Sequence, residues 1–327
     1  MVKHAGSSLR LGTRGSALAL WQANWVKARL ESTHPELTVH LQTLHTTGDR
    51  ITDVPLAKIG DKGLFTKELD NAIIDGHVDL AVHSLKDVPT KLADGLLLAA
   101  VSEREDPRDA FLPGSRRPTA LADLPPGSVV GTSSLRRRAQ LLHYRPDLQV
   151  QDLRGNLGTR LSRLTEGHYD AILLALAGVR RLGHEDHVGE VLGPPDWLPA
   201  VSQGALGVTT RDGDEVTAAF LACLHDPGAA TTTAAERAFL RALEGGCQIP
   251  IGALATLHGD DLVLDGFVAS IDGRAYIRGT VHGPAADPKA VGCALADQLL
   301  DRGAGDVLRQ VREAVEIPGT LPNASAP

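Results

Sequence analysis

One cysteine of this chain lies in a turn that would present its thiol to a reactant. Cys247 follows Gly245 and Gly246 and precedes Pro250, between a predicted helix and a predicted strand. The glycines permit the positive φ that ends a helix, and the proline prevents the helix from continuing. A thiol held in such a turn can be a nucleophile or an attachment point. A small apolar residue that only fills the turn is the alternative interpretation.

A second feature is the concentration of arginine in the middle of the chain. Residues 131–181 contain nine arginines, four acidic residues and no lysine, although the net charge of the chain is −7. Arginine binds carboxylate and phosphate groups through paired hydrogen bonds, so this region is predicted to bind an anion. Three of the arginines fall at predicted strand ends or first helical turns, where backbone N–H groups also attract anions: Arg136, Arg137 and Arg154. A solvated helix face is the interpretation for Arg138, Arg145 and Arg163.

A carboxylate with a different predicted role follows a strand in the first third of the chain. The strand at residues 78–82 leads into the segment 83–89, which contains Lys86, Asp87 and Pro89. A carboxylate at such a strand end can stabilise a cation or accept a hydrogen bond from a pyrrole-like N–H. A surface ion pair with Lys86, which would stabilise little, is the alternative. The nearby proline predicts an extended backbone at Asp87.

Composition excludes several classes of function. With 327 residues, 43% of them hydrophobic and 22% charged, the chain is long enough for two or three globular domains. An acidic chain with only 3% aromatic residues is a poor nucleic-acid binder. Three cysteines without a C-x-x-C pair predict neither a disulfide framework nor a cysteine-rich zinc site. Because no signal peptide or membrane span is evident, a cytoplasmic location is expected.

Element order predicts the fold. Strands and helices alternate over residues 9–82 and again over 129–182, which indicates sheets with parallel strands and sites at the strand carboxyl ends. Later, Asp272-Gly273 separates two strand-like runs and predicts a hairpin. We therefore expect an α/β protein with two doubly wound lobes that resemble periplasmic binding proteins, plus a third α+β domain with a small antiparallel sheet that carries Cys247. The predicted boundaries are 1–103 with about 204–222, then 108–199, then 226–327.

Further expectations concern packing and motion. Trp21 and Trp25 recur at helical spacing with apolar residues, so both are expected in the core. Residues 46–63 are rich in glycine and lack periodicity, which is typical of a mobile lid. Cys223 and Cys293 are expected to be packing residues.

Eight motifs, in order along nearly the whole chain, resemble those of the porphobilinogen deaminase (hydroxymethylbilane synthase) family. They are TRGS at 13–16 with LWQ at 20–22, GLFTKEL at 63–69, HSLKDVP at 83–89, REDPRDA at 104–110, GTSSLRR at 131–137, RGN at 154–156 with TRL at 159–161, QGALG at 203–207 and EGGCQ at 244–248. Two departures are evident: Leu85 stands where methionine is common, and Ser202 stands where glycine is common. Neither changes a charged position.

This resemblance implies an activity and a set of site residues. Enzymes of the family condense four porphobilinogen molecules head to tail, release ammonia and then free linear hydroxymethylbilane by hydrolysis. The chain grows on a dipyrromethane cofactor joined by a thioether to the cysteine that matches Cys247. Asp87 matches the catalytic aspartate, which stabilises developing positive charge. Positions that match cofactor contacts are Ser84, Lys86, Asp87, Thr132, Ser133, Ser134, Arg136, Arg137, Arg154 and Gly155. Positions that match substrate contacts are Arg14, Ser16, Gln22, Phe65, Arg154, Arg160 and Arg181.

The resemblance also implies a monomer that requires no metal, and the composition predicts neither nucleic acid nor a membrane as a partner. Two other functions fit part of the sequence. A two-lobed cytoplasmic binding protein for an organic polycarboxylate accounts for the lobes and the arginines, but it leaves Cys247 and the third domain unexplained. A thiol acyltransferase requires a histidine base near Cys247, which the sequence does not locate. A covalent mass excess of two pyrroles would distinguish the deaminase from both.

Overall fold

The computed structural model describes residues 8–46, 66–114, 118–243 and 249–316. Along these ranges the strands are β1 (Ser8–Arg14), β2 (Thr38–Leu44), β3 (Leu80–Ser84), β4 (Leu96–Val101), β5 (Asp109–Pro113), β6 (Val129–Gly131), β7 (Gln149–Gln151), β8 (Ala171–Ala175), β9 (Glu190–Leu192), β10 (Leu206–Arg211), β11 (Ile251–His258), β12 (Asp261–Ala269) and β13 (Tyr276–Pro284). The helices are α1 (Ala17–Thr33), α2 (Lys67–Ile74), α3 (Leu135–Tyr144), α4 (Leu157–Thr165), α5 (Leu176–Arg181), α6 (Glu215–Leu221), α7 (Pro227–Ala242), α8 (Pro288–Asp301) and α9 (Ala304–Glu316).

The described chain divides into two compact units. The first contains residues 8–46, 66–105 and 204–230, and the second contains 106–114, 118–203, 231–243 and 249–316. In the first unit the strand order is β2-β1-β3-β10-β4. The first three of these strands are parallel, whereas β10 runs antiparallel to both neighbours. The sheet is therefore mixed, because the chain leaves this unit after β4 and returns as β10 in the opposite direction.

Helix α1 covers one face of this sheet and begins where the sequence predicts. The Ser16 side chain accepts a hydrogen bond from the backbone N–H of Ala19, which satisfies one of the free donors at the helix start. The buried side of α1 includes Val26 and Leu30. The prediction of a core position is wrong for Trp21, which lies beside this stripe and is 36% exposed. Trp25 packs partly against the core.

The second unit contains another five-stranded sheet, in the order β7-β6-β8-β5-β9. Its central strands β6, β7 and β8 are parallel, and β5 is antiparallel to β8 and β9. Both five-stranded sheets thus place one reversed strand next to their parallel strands. Loops after the parallel strands lie at one edge of each sheet, where α/β proteins usually bind ligands.

A three-stranded antiparallel sheet, β11-β12-β13, completes the second unit. The predicted hairpin is confirmed, since the turn with Asp272 and Gly273 joins β12 to β13. Helices α7, α8 and α9 cover one face of this sheet through a common apolar cluster. Towards α3, the Tyr276 ring stacks between Phe267 and His143, with ring centroids 4.6 and 4.2 Å apart. These contacts hold the small sheet against the arginine-bearing helix α3.

The predicted fold class is confirmed: two α/β lobes and a small antiparallel sheet with helices. The three domain boundaries stay a prediction. Of the predicted lid, only Thr46 belongs to the described residues, and it is buried. Within the described ranges, no helix combines the length and apolarity needed to cross a membrane.

Candidate functional site

A small pocket opens at the carboxyl ends of β1 and β3 in the first unit. Five residues that the sequence singled out line it: Arg14, Ser16, Gln22, Ser84 and Asp87. Gln22 is buried, and its Nε2 donates to Ser84 Oγ over 2.8 Å, which fixes both side chains. Cationic, hydroxyl, amide and carboxylate groups therefore converge on one volume that suits a ligand with both carboxylate and N–H groups.

The backbone around Asp87 differs from the prediction. Leu85–Asp87 form a 3-10 turn, and the backbone becomes extended again at Val88, with φ −81° and ψ 124°. A proline restricts the residue directly before it, so Pro89 acts on Val88 and leaves Asp87 free to be helical. The side chain of Leu85 is fully buried and anchors the turn. Lys86 and Asp87 are half-buried beside it.

His83 is a pocket residue that the sequence reasoning did not select. Its side chain is buried, and Nε2 lies 3.3 Å from Thr209 Oγ1. Burial, followed by the positive charge of Arg14, lowers the pKa of His83 to about 4. The imidazole is therefore neutral near pH 7 and adds no charge to the wall shared with Asp87. Its position directly before Ser84 in the HSLKDVP motif was the available signal.

In the second unit, the loops that follow β6 and β7 are tied together. Ser133 Oγ donates to the carbonyl of Leu153 and accepts from its N–H, both over 3.0 Å. Thr132 Oγ1 accepts from the Ser134 N–H over 3.2 Å, and the Ser134 side chain caps α3. The structure thus brings the predicted residues 132–134 next to the segment that begins at Arg154.

The Arg154 segment adopts a conformation that requires glycine. Gly155 has φ +106°, and a Cβ at this position would lie 2.8 Å from Thr159 Cγ2. Arg160 Nε donates to the Gly155 carbonyl over 2.9 Å. Arg154 is half-buried, and this burial lowers the pKa of its guanidinium. Arg181, at the end of α5, is also half-buried. Arg154 and Arg160 are therefore held near one loop.

Arg136 and Arg137 belong to a buried cluster around Asp109, a residue that the sequence reasoning did not select. Asp109 Oδ1 accepts from Arg136 Nη2, Arg137 Nη2 and Gln203 Nε2 over 3.2, 2.8 and 2.8 Å. Its Oδ2 accepts from Arg136 Nη1 and Trp197 Nε1, each over 2.7 Å. Both arginine side chains are at most 7% exposed, and the Asp109 side chain is 0% exposed. These arginines are therefore fixed inside the unit and do not lie on a helix surface.

The charges in this cluster do not cancel. Burial alone raises the pKa of Asp109, but the charges of Arg136 and Arg137 outweigh that effect and hold it well below its usual range. One carboxylate thus faces two guanidinium groups. The Nε atoms of both arginines are buried and have no hydrogen-bond partner among the described residues. An ideal Cβ at Gly252 would lie 3.2 Å from Arg136 Cδ, so this excess positive charge lies close to β11.

Several sequence predictions fall outside this site. Arg145 forms an ion pair with Asp147 and donates hydrogen bonds to backbone carbonyls of residues 121–124. The prediction of a solvated helix face is wrong for Arg138, because this residue is half-buried and its burial lowers the pKa of its guanidinium. Cys223 packs against the core as predicted, whereas Cys293 is exposed because it lies on the outer side of α8. Phe65 and Cys247 lie outside the described residues. Within the described ranges, no three histidine, cysteine or acidic residues are grouped to hold a metal.

Comparison with known proteins gives consistent matches over almost the entire chain. Residues 9–219 match the family model "Porphobilinogen deaminase, dipyromethane cofactor binding domain", and residues 230–301 match "Porphobilinogen deaminase, C-terminal domain". The chain is 51% identical to a porphobilinogen deaminase of Syntrophotalea carbinolica over 93% of this chain and 96% of that protein. It is 52% identical to one of Moorella thermoacetica, over the same shares.

A further relative, from Gloeobacter violaceus, is 51% identical over 97% of this chain and 98% of that protein, and it is also named porphobilinogen deaminase. Among solved structures, an arginine-specific periplasmic binding protein of Salmonella typhimurium is 13% identical, covers 67% of this chain and 92% of its own, and has a TM-score of 0.37. The strand order of the chain itself defines its fold.

Proposed function

The chain belongs to the porphobilinogen deaminase family, and we propose how its residues carry out that family's reaction. It is a transferase of tetrapyrrole biosynthesis that acts on porphobilinogen and uses the dipyrromethane cofactor. We infer that it joins four substrate molecules head to tail and then releases hydroxymethylbilane by hydrolysis. We further propose that it works as a cytoplasmic monomer, independent of nucleic acid and membranes.

The observation that carries the proposal is the excess positive charge at Arg136 and Arg137. Each pyrrole ring of substrate and cofactor bears an acetate and a propionate, so a two-ring cofactor brings four carboxylates. A buried cluster with two guanidinium groups, one carboxylate and two unpartnered Nε donors suits one further carboxylate. Gly252, which packs against Arg136, follows Cys247 by five residues along the chain. We therefore assign these two arginines to the part of the cofactor nearest its attachment point.

The cofactor supplies, when bound, a pyrrole with a free α-carbon that can attack an electron-poor methylene group. On this proposal the Cys247 thiolate forms the C–S bond that holds it, and the amine of the reacting porphobilinogen leaves as ammonia. Thr132 and Ser134, whose hydroxyl oxygens accept hydrogen bonds from backbone N–H groups, would donate hydrogen bonds to its side-chain carboxylates. Ser133, whose hydroxyl proton is donated to the Leu153 carbonyl, would hold this loop in position. Gly155 lets the backbone of its loop approach closely, because no Cβ intervenes.

Asp87 is proposed as the catalytic residue. When the C–N bond of porphobilinogen breaks, ammonia leaves and the remaining methylene carries positive charge conjugated with the pyrrole nitrogen. A carboxylate in the pocket stabilises that charge and accepts a hydrogen bond from the pyrrole N–H. It can also accept the proton that the attacking α-carbon loses as the new C–C bond forms. Arg14 and Ser16 line the same pocket and are proposed to bind the substrate carboxylates.

The remaining substrate contacts are proposed from the sequence and their positions. Gln22 is buried in the first unit and orients Ser84, so it shapes the pocket that receives porphobilinogen. Arg154 lies in the loop after β7, and Arg160, in α4, donates to the Gly155 carbonyl of that loop. Both are assigned to carboxylates of incoming or added rings. Arg181 is assigned to the same carboxylates on the resemblance to the family alone. Phe65 and Lys86 keep the roles that the resemblance implies.

The test is intact mass measurement of the purified protein and of three cysteine variants. The unchanged protein should carry an excess of two pyrrole units, and Cys247→Ser should be folded, unmodified and inactive. Cys223→Ser and Cys293→Ser are matched controls that should keep the full excess. The exposed Cys293 is the stricter control, because its thiol is the more accessible of the two. Pyrrole retained in Cys247→Ser would overturn the attachment site.

A further inference from the structure

We infer that Asp109 is a positioning residue for cofactor loading: it holds Arg136 and Arg137 side by side before the cofactor arrives. The inference rests on the proposed role of those two arginines in cofactor binding. Asp109 is fully buried at the start of β5 and does not line the pocket that holds Asp87. It acts through the guanidinium groups and does not touch the reactants.

The hydrogen bonds of Asp109 show how it fixes both arginines. Five donors reach its two oxygens over 2.7 to 3.2 Å, which exceeds the roughly four lone-pair sites of a carboxylate. Trp197 and Gln203 supply two of them from outside α3. Arg136 Nη1 also donates to the Leu198 carbonyl, and Arg137 Nη1 donates to the Leu173 carbonyl. Neither guanidinium can turn without losing several hydrogen bonds, so both are ordered by the protein itself.

Electrostatics explains why this position needs a carboxylate. Arg136 and Arg137 are adjacent in sequence and both are buried. Burial, to which the charge of Arg137 adds, lowers the pKa of Arg136. Two such cations repel each other and are costly to bury without an opposing charge. Asp109 offsets that cost for the unloaded protein, and the surplus charge and the two Nε donors remain for a ligand carboxylate. A neutral side chain of the same shape would remove this compensation.

This arrangement has a consequence that a purely structural ion cluster would not have. If Asp109 only stabilised the fold, its loss would lower the loaded fraction no more than the loss of any equally buried carboxylate in the same unit. Glu236 offers that comparison, since it is also fully buried and accepts hydrogen bonds from the backbone N–H groups of Ser202 and Ala255. Asp109 should therefore affect loading beyond its effect on stability, whereas Glu236 should affect stability alone.

The experiment compares Asp109→Asn, Glu236→Gln, Arg136→Leu and Arg137→Leu in the full chain. Each protein is produced in a host that makes no porphobilinogen, so that every sample starts without cofactor. Folded monodisperse protein is then mixed with porphobilinogen, and the gain of two pyrroles is followed by intact mass. Thermal unfolding of the same unloaded samples gives the stability of each variant. We expect Asp109→Asn to gain the two pyrroles at least about tenfold more slowly than the unchanged chain. This is the size of effect seen when a residue that orients a binding side chain, without contacting the bound group itself, is lost. Glu236→Gln should load at the unchanged rate despite a lower melting temperature.

A milder variant covers the case in which Asp109→Asn does not fold. Trp197→Phe removes one hydrogen bond from Asp109 and keeps all three charges. We expect it to load about 3- to 10-fold more slowly, because one charge-assisted hydrogen bond is lost. Loading at the unchanged rate in Trp197→Phe, or in a folded Asp109→Asn, overturns the positioning role. If both arginine variants also load normally, the proposed cofactor role of the arginines is wrong as well, which separates the two failures.

Discussion

Ser202 has a backbone conformation that glycine would adopt at lower cost. Its φ is +63°, in the left-handed region that side chains with a Cβ disfavour. Its Oγ is buried and has no hydrogen-bond partner among the described residues, while its N–H donates to Glu236 Oε2 over 2.6 Å. Because the N–H bond needs no side chain, Ser202→Gly should keep it and remove both unfavourable features.

The size of the effect follows from these two features. The left-handed conformation costs a residue with a Cβ about 1–2 kcal/mol, and a buried hydroxyl without a partner costs about 1–3 kcal/mol. Glycine gives back about 0.5–1 kcal/mol through the greater entropy of the unfolded chain. We therefore expect the free energy of unfolding to rise by about 1–4.5 kcal/mol. At about 2–4 °C per kcal/mol for a unit of this size, the melting temperature should rise by about 2–18 °C.

Urea and thermal unfolding of three proteins would separate the two contributions. Ser202→Ala removes the hydroxyl but keeps the disfavoured φ, so it should recover only the part that comes from the unpaired oxygen. Ser202→Gly should be more stable than Ser202→Ala, and both should exceed the unchanged chain. Equal stability of the two variants would show that relief of the disfavoured φ only offsets the entropy cost of glycine. A Ser202→Gly protein less stable than the unchanged chain would refute the reasoning.

Three other changes test the proposed site. Asp87→Asn should lower kcat by at least about 10²-fold with a much smaller effect on KM, as for removal of one preorganised electrostatic group; near-normal turnover would mean that Asp87 only pairs with Lys86. The pKa of His83 falls from its ordinary value of 6.5 to about 4 in the folded protein. Between these two pH values the unfolded chain binds a proton that the folded protein does not, so the free energy of unfolding should fall by up to about 3 kcal/mol as the pH drops from about 6.5 to about 4. Above pH 6.5 His83 should have no effect on the pH dependence of stability. Urea unfolding at pH 5 and pH 7 should show a smaller acid loss in His83→Gln, and an equal loss in both proteins would contradict the assignment. Arg160→Leu should keep the cofactor but accumulate a substrate-loaded species in native mass spectra, while Arg145→Leu, whose guanidinium is held by Asp147 and loop carbonyls, is the control expected to turn over normally.

Local features of the fold could be predicted because they depend on neighbours along the chain. The Ser16 cap and the turn at Asp272-Gly273 are examples, since each needs only a few adjacent residues. The extended backbone predicted at Asp87 failed because the restriction imposed by Pro89 reaches one residue and not two. Trp21 was placed in the core from its spacing, although α1 buries a stripe that runs beside it.

Long-range partners could not be predicted. Arginine clustering indicated an anion site. The sequence did not reveal that Asp109, 27 residues before Arg136, already accepts hydrogen bonds from both guanidinium groups. His83 was missed because its neutral state depends on burial and on Arg14, which is distant in sequence. The roles of the individual site residues remain predictions that the experiments above address.

The position of β10 between β3 and β4 has a consequence for synthesis on the ribosome. Within the described residues, β10 is the only strand paired with β4, yet it is made about 100 residues later. At about 5–20 residues per second, β4 waits roughly 5–20 s for its partner. All strands of the second five-stranded sheet, from β5 to β9, emerge during that interval. We expect this later sheet to resist protease in stalled nascent chains before β4 does, and protection of β4 in chains that end before β10 would contradict this order.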